Sequence, residues 1–261
     1  MLNFLTQRLL QIIPTLILVS MLIFGLQQLL PGDPALIMAG EERDPKVLLA
    51  AMALLIAIGI GIPAGIVSAV KKDTAWDYGA NLFALWGLST PNFWLGILMI
   101  FLFSVTLGWL PASGYVRMGE NWQASLATTI MPAFVLGNAL AAVLMRHTRS
   151  AMLQAMGADY VRTARAKGLH EGRVVLKHAL RNAMTPVITL LALDFGTLLS
   201  GAVLTEQIFT IPGFGKLIVD SVFNRDYAVV QGVVLVTATV YISLNLLADV
   251  AYVLVNPRLR G

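Results

Sequence analysis

The sequence predicts an all-α, polytopic membrane protein with about six transmembrane helices, and three observations carry that expectation. Hydrophobic residues fill 57% of the 261 positions and charged residues only 12%, against roughly 25% in a soluble domain. Mean hydropathy is +0.78. Apolar runs of about 20 residues recur along the whole chain, and the Lys and Arg residues collect at their ends, which is not the footprint of a nucleic-acid binder. With no cysteine, disulfides and thiolate metal sites are excluded.

The predicted spans are Leu9–Leu30, Ala50–Val70, Leu82–Gly108, Leu126–Met145, Ala183–Thr205 and Val229–Val255. With both termini in the cytoplasm, 13 of the 18 Lys and Arg lie inside: Arg8, Lys71, Lys72, Arg146, Arg149, six between Ser150 and Pro186, Arg258 and Arg260. The opposite orientation would reverse that bias, so the positive-inside rule sets this one. The first run follows Arg8, as a secretory signal would. Its apolar core is too long for one, and no A-x-A cleavage site follows, so it reads as a retained span. Pro14 sits in its first turns, where a missing N–H costs least, and Leu30-Pro-Gly-Asp-Pro-Ala35 closes it with an outer turn.

In the second span Gly61 and Gly65 lie four apart and allow close helix packing; Gly59 precedes them, and Pro63 lies between them and allows a bend. The third span contains a polar break, Ser89-Thr-Pro-Asn92, where hydroxyls can satisfy carbonyls that Pro91 leaves free; Pro91 and Asn92 are candidate pathway residues. Trp109 and Tyr115 suit the outer headgroup level. Asp194 falls near the middle of the fifth span, where an unpaired charge costs roughly 2.5–3.5 kcal/mol. It is either a pathway residue favouring cationic groups or a polar contact to a partner helix. Asp249 lies near the inner end of the sixth span and can reach interfacial water or a basic partner.

The longest polar stretch, Ser150–Pro186, carries Arg162, Arg165, Lys167, Arg173, Lys177 and Arg181. Its pattern predicts two short helices. In the first, Leu153, Met156, Tyr160 and Ala164 share one face, with Arg162 and Arg165 turned away. Gly168 supplies the stop. In the second, Arg173, Lys177 and Arg181 form a basic stripe, with Val175, Leu176, Ala179 and Leu180 elsewhere on the helix. Periodicity alone leaves open whether this is a docking surface or a loop whose charge only sets topology.

The run Asp159–Leu169, DYVRTARAKGL, followed by Lys177–Pro186, KHALRNAMTP, resembles the cytoplasmic coupling loop of ABC importer permeases. It is most similar to the first permease of the dipeptide, oligopeptide, glutathione and nickel branch. Arg162, Thr163, Ala164 and Gly168 occupy that family's E-A-A-x-x-x-G pattern, with the acidic first position lost and Arg181 where the general pattern has proline. The P-G-D-P turn, the run Gly108-Trp-Leu-Pro-Ala-Ser-Gly-Tyr115, Glu206-Gln-Ile-Phe-Thr-Ile-Pro-Gly-Phe-Gly215, Asn224-Arg-Asp-Tyr227 and the tail Asn256-Pro-Arg-Leu-Arg-Gly261 share the resemblance.

The resemblance implies a type I ABC importer permease fold in a bacterial inner membrane, with residues 1–261 as one transmembrane permease domain. It implies that residues 150–186 dock in a groove of an ATPase subunit through Asp159, Tyr160, Arg162, Thr163, Ala164, Arg165, Lys167, Gly168, Arg173 and Lys177. Residues 206–228 are implied to form an outer-face loop and short helix, whose Phe209, Pro212, Gly213 and Phe214 lie near the outer gate or a binding-protein contact. From its own pattern, Pro212-Gly213 is a turn, and Leu217, Ile218, Ser221 and Val222 give a short helix with an apolar face. The implied partners are a homologous second permease, two ATPase subunits, a periplasmic or lipid-anchored solute-binding protein and the bilayer. Peptides lead as substrates, with glutathione, nickel and sugar-like compounds found among related permeases. One departure is the short connection Glu41–Lys46, where family members carry several tens of residues; an omitted segment is favoured over a natural short form.

Energy must come from elsewhere. Gly213-Phe-Gly-Lys216 fails as a P-loop, which would need glycine at Thr210 and a hydroxyl at Leu217. His147, His170 and His178 read as cytoplasmic-loop residues, His170-Glu171 lacks the second zincin histidine, and there is no G-x-S-x-G. No catalytic or metal-ligating residue is expected, and no cofactor on this chain; ATP and Mg belong to partner ATPases. The competing class is a self-sufficient secondary carrier or channel, which would work without them.

Overall fold

The structure, a computed structural model, describes residues 44–200 and 202–255. The first span, the Pro31–Pro34 turn and the tail from Asn256 therefore lie outside the described residues, as does the side chain of Asp249. Among the described residues every regular element is helical. In order they are α1 (Asp44–Val70), α2 (Ala75–Ser89), α3 (Asn92–Met99, continued by a π-helical turn, Ile100–Thr106), α4 (Trp122–Met156), α5 (Asp159–Ala166), α6 (Glu171–Arg173), a π-helical turn (Val174–Ala179), α7 (Leu180–Ser200), α8 (Val203–Phe209), α9 (Phe214–Phe223) and α10 (Tyr227–Val255).

The centre of the fold is α4. At 35 residues it is about 52 Å long, well beyond the roughly 30 Å hydrocarbon thickness, so its end past Met145 extends the predicted fourth span. Asn121 caps its start, accepting hydrogen bonds from the N–H groups of Gln123 and Ala124 at 3.1 Å each. Its most extensive partner is α1, and glycine sets their separation. A Cβ at Gly61 would lie 2.6 Å from the Ala141 carbonyl oxygen, one at Gly65 2.7 Å from that of Met145, and one at Gly137 of α4 2.7 Å from that of Ala53. Close backbone approach is therefore what Gly61 and Gly65 provide. Gly59 faces open space. Pro63 is accommodated within a continuous helix.

Three apolar clusters run down the α1–α4 axis. One joins Leu49, Ala53, Leu95, Met131, Val135 and Phe209; the next Ala57, Ala141, Leu144 and Val187. The third brings Ala69 of α1 and Met152 of α4 together with Val161, Ala164, Val174 and Ala179.

The predicted third span is not one straight helix, because α2 and α3 meet at 97°. Thr90, held extended by the following proline, leaves the helix at φ −80°, ψ 118°. Its N–H and Oγ1 both donate to the Trp86 carbonyl, at 2.9 and 2.7 Å, and close the end of α2. Leu82, Leu85, Trp86, Ile97, Phe101 and Val105 stay exposed, an apolar surface suited to lipid or neighbouring membrane helices. Among the described residues two helices, Val47–Val70 and Trp122–Met156, are long and apolar enough to cross a membrane, and the bent pair makes a third.

Candidate coupling surface

The chain leaves α4 at Gly157-Ala158, where Ala158 is extended (φ −76°, ψ 152°), and turns into α5. That break resets the helical phase, and with it the face predicted for this segment. Leu153 and Met156 belong to α4, and Tyr160 is 41% exposed, while Val161, at 0%, replaces it as the buried anchor beside Ala164. The other face of α5 presents Asp159, Tyr160, Arg162, Thr163 and Arg165 to solvent. Gly168 ends the helix as its position predicts: φ is +74°, and its N–H donates to the Arg165 carbonyl at 2.9 Å.

Beyond Gly168 the chain reverses into the second helix. His170 caps α6, its Nδ1 accepting from the Gly172 N–H at 3.2 Å. Arg173, Lys177 and Arg181 are all exposed, so the basic stripe exists. Leu176, grouped with the apolar residues by periodicity, is instead 62% exposed among those cations. Val174, Val175 and Ala179 face the core. Arg165 spans the elbow: its Nε donates to Glu171 Oε2 at 3.1 Å and its Nη2 to Oε1 at 2.6 Å. This bidentate pair holds the Glu171 carboxyl below the ordinary carboxylate range. Ala164 and Arg165 thus support the elbow from within the chain, while Asp159, Tyr160, Arg162, Thr163, Lys167, Gly168, Arg173 and Lys177 lie on its open side.

A charged cluster that the sequence reading missed ties this elbow to the membrane helices. Asp77, in the first turn of α2, receives Arg149 Nε on Oδ1 and Nη2 on Oδ2, both at 2.8 Å. Ser68 Oγ at the end of α1 and Asn81 Nδ2 also donate to Oδ1, and the Asp73 N–H donates to Oδ2 at 3.1 Å. The Asp77 side chain is 4% exposed and that of Arg149 25%. Three helix ends are thereby pinned two turns before α4 gives way to the elbow. An aspartate opening an apolar helix was the visible signal; its partner 72 residues away was not.

On the opposite end, Glu206 of α8 is buried. It accepts the Lys216 N–H at 3.0 Å and so caps the start of α9. A Cβ at Gly213 would strike the Glu206 carboxylate, and one at Gly215 would come within 2.6 Å of Val203 Cα, which explains the spacing of glutamate and both glycines. Phe209, expected near an outer contact, is buried in the core instead, with its carbonyl accepting the Gly114 N–H at 2.9 Å. Pro212 is exposed, Gly213 buried and Phe214 half-buried. In α9, Ser221 rather than Val222 faces inward.

Asp194 sits half-buried on α7, within Coulombic reach of His147. His147 lies on α4 and not in the loop that follows it. Asn92 and Pro91 form the corner between α2 and α3.

Comparison with known proteins agrees with this architecture. The sequence profile of the "binding-protein-dependent transport system inner membrane component" family matches residues 61–261, and the N-terminal profile of such membrane components matches residues 1–67. The chain is 39% identical to the dipeptide transport system permease protein DppB of Escherichia coli K12 over 336 aligned residues, covering 100% of this chain and 99% of the relative. It is 38% identical over 312 aligned residues to the glutathione transport system permease protein GsiC of the same strain, with the same coverage. The 336 aligned positions exceed the 261 residues of this chain, so DppB carries several tens of residues without a counterpart here. A crystal structure of an amino acid ABC transporter with histidines superposes with a TM-score of 0.51 at 15% identity, over 81% of this chain and 91% of the other, and supports the fold. The chain belongs to the binding-protein-dependent transport system inner membrane components, as a permease subunit of an ABC importer in the branch that includes the dipeptide and glutathione permeases.

Proposed function

We propose that this chain forms half of the translocation pathway of an ATP-driven peptide importer, with residues 150–186 as the cytoplasmic coupling loop. One observation carries the reading: the elbow is fixed on one side and open on the other. Val161, Ala164, Val174 and Ala179 seat it against Ala69 and Met152, while Tyr160, Leu176 and a set of cations face outward. A surface held rigidly to two membrane helices can transmit a push from a docked partner, and a mobile charged loop could not.

In this reading the open face docks in an ATPase groove, with Tyr160 and Leu176 as apolar anchors and Arg162, Lys167, Arg173 and Lys177 as charged contacts. ATP and Mg are held by two such ATPase subunits. A homologous second permease completes the pathway, and a periplasmic or lipid-anchored solute-binding protein delivers substrate to the outer loop at residues 206–228, near Pro212 and Phe214. Both termini then lie in the cytoplasm. Peptides are the substrate class, by likeness to the dipeptide and di/tripeptide permeases. Closure of the ATPases shifts a two-state membrane core between inward- and outward-open arrangements.

The test is uptake of a labelled dipeptide into proteoliposomes holding the complete transporter. Uptake is expected to require ATP and to fall to background in the Arg162→Glu, Lys167→Glu double variant. Uptake that proceeds without nucleotide would establish a carrier instead.

A further inference from the structure

Resting on the peptide-importer reading, we propose that the open face of α4 at Val143, Arg146, His147 and Ser150 is a carboxylate-binding station on the translocation pathway, which receives the C-terminal carboxylate of a passing peptide. These four residues follow an i, i+3, i+4, i+7 spacing and so share one side of the helix. With Leu88 of α2 opposite, they line an open cavity of about 380 Å³, within the range that small-molecule sites occupy. The neighbouring faces of α4 are already used: Ala141, Ala142, Leu144, Met145 and Thr148 are buried against other helices.

The charge on that face asks for a ligand. Arg149 is paired with Asp77 and Ser68, whereas the Arg146 and His147 side chains beside it are exposed. Arg146 is the first residue past the predicted end of the fourth span, on the cytoplasmic extension of α4, where its exposed guanidinium stays hydrated and open to an anion. Arginine presents a planar fork that matches a carboxylate in two hydrogen bonds, and the Ser150 hydroxyl and a His147 ring N–H add donors beside it. Leu88 and Val143 form an apolar wall for the adjoining side chain. The result is a cationic lining beside an apolar wall, suited to the C-terminal end of a peptide.

The test uses the complete transporter in proteoliposomes and a photoactivatable dipeptide, supplied with either a free or an amidated C-terminus. The free form is expected to label α4, and Arg146→Gln is expected to cut that labelling and the ATP-dependent uptake of the free form by roughly tenfold. Labelling by the amidated form should be weak in both proteins. Arg146→Lys, which keeps the charge and loses the fork, should recover part of the effect and guards against a folding defect. Equal labelling by both peptide forms, or uptake of the free form unchanged by Arg146→Gln, would overturn the station while leaving the importer intact. So would anionic phospholipid found on the wild type by native mass spectrometry and lost in Arg146→Gln with peptide labelling unaltered. Absence of any ATP-dependent dipeptide uptake by the wild type would remove the importer reading, and the station with it.

Discussion

Cutting the Asp77–Arg149 pair from its two ends should have unequal consequences. In Arg149→Met the Asp77 carboxylate stays in place, 4% exposed, with Ser68, Asn81 and the Asp73 N–H as its remaining donors and no cation. Removing one member of a buried pair costs about 3–5 kcal/mol, because the other charge is left without compensation. In Asp77→Asn the residue left behind is Arg149, a quarter exposed and on a long stem, so its head can move toward cytoplasmic water; that change should cost about 1–3 kcal/mol. The double variant leaves no buried charge and should be more stable than Arg149→Met alone, with a coupling energy of about 2 kcal/mol or more across the cycle. Unfolding of the purified protein in mixed micelles, followed by denaturant titration for all four proteins, reads this directly. Equal losses in the two single variants, adding up in the double, would show that the pair is a surface contact and not a clamp.

Two further outcomes follow from named contacts. Gly65→Ala should lower stability by about 1–3 kcal/mol, because its Cβ meets the Met145 carbonyl and Thr148, whereas Gly59→Ala should be neutral or slightly stabilising; thermal melting of both variants checks the contrast. The Arg165–Glu171 pair depresses the glutamate, so its contribution is complete above the ordinary glutamate value of 4.5 and is lost as pH falls through the lower folded value. Elbow order, followed by amide exchange at residues 165–172, should therefore be flat from neutral pH down to about 5 and loosen only in stronger acid, and Glu171→Gln should abolish that acid transition.

What the sequence discloses, and what it hides, divides along physical lines. Local chemistry is legible: Gly168 in the left-handed region, the break at Thr90-Pro91, and the glycines that bring α1 onto α4 all follow from one residue's own constraints. Phase is less so. The elbow's apolar face was drawn through Leu153, Met156 and Tyr160 as if one helix continued, and the extended Ala158 shifts the register so that Val161 is buried in place of Tyr160. A short break carries little periodic signal, and a single misplaced residue turns a helical face. Long-range pairing is hidden altogether. Arg149 reads as one more inside cation until α2 brings Asp77 against it, and Glu206 reads as an outer-loop acid until the loop folds Gly213 and Gly215 over its carboxylate.

The chain contains no cysteine, so one introduced by substitution is its sole thiol. The most direct test of the account places one at Lys167 on the elbow and another at Phe223, exposed at the end of α9, in the assembled transporter in native membranes. A short bifunctional reagent should join the Lys167→Cys protein to an ATPase subunit and leave the Phe223→Cys protein unjoined to it. A link from Phe223→Cys, or none from Lys167→Cys in a complex that still transports, would contradict the coupling role of residues 150–186.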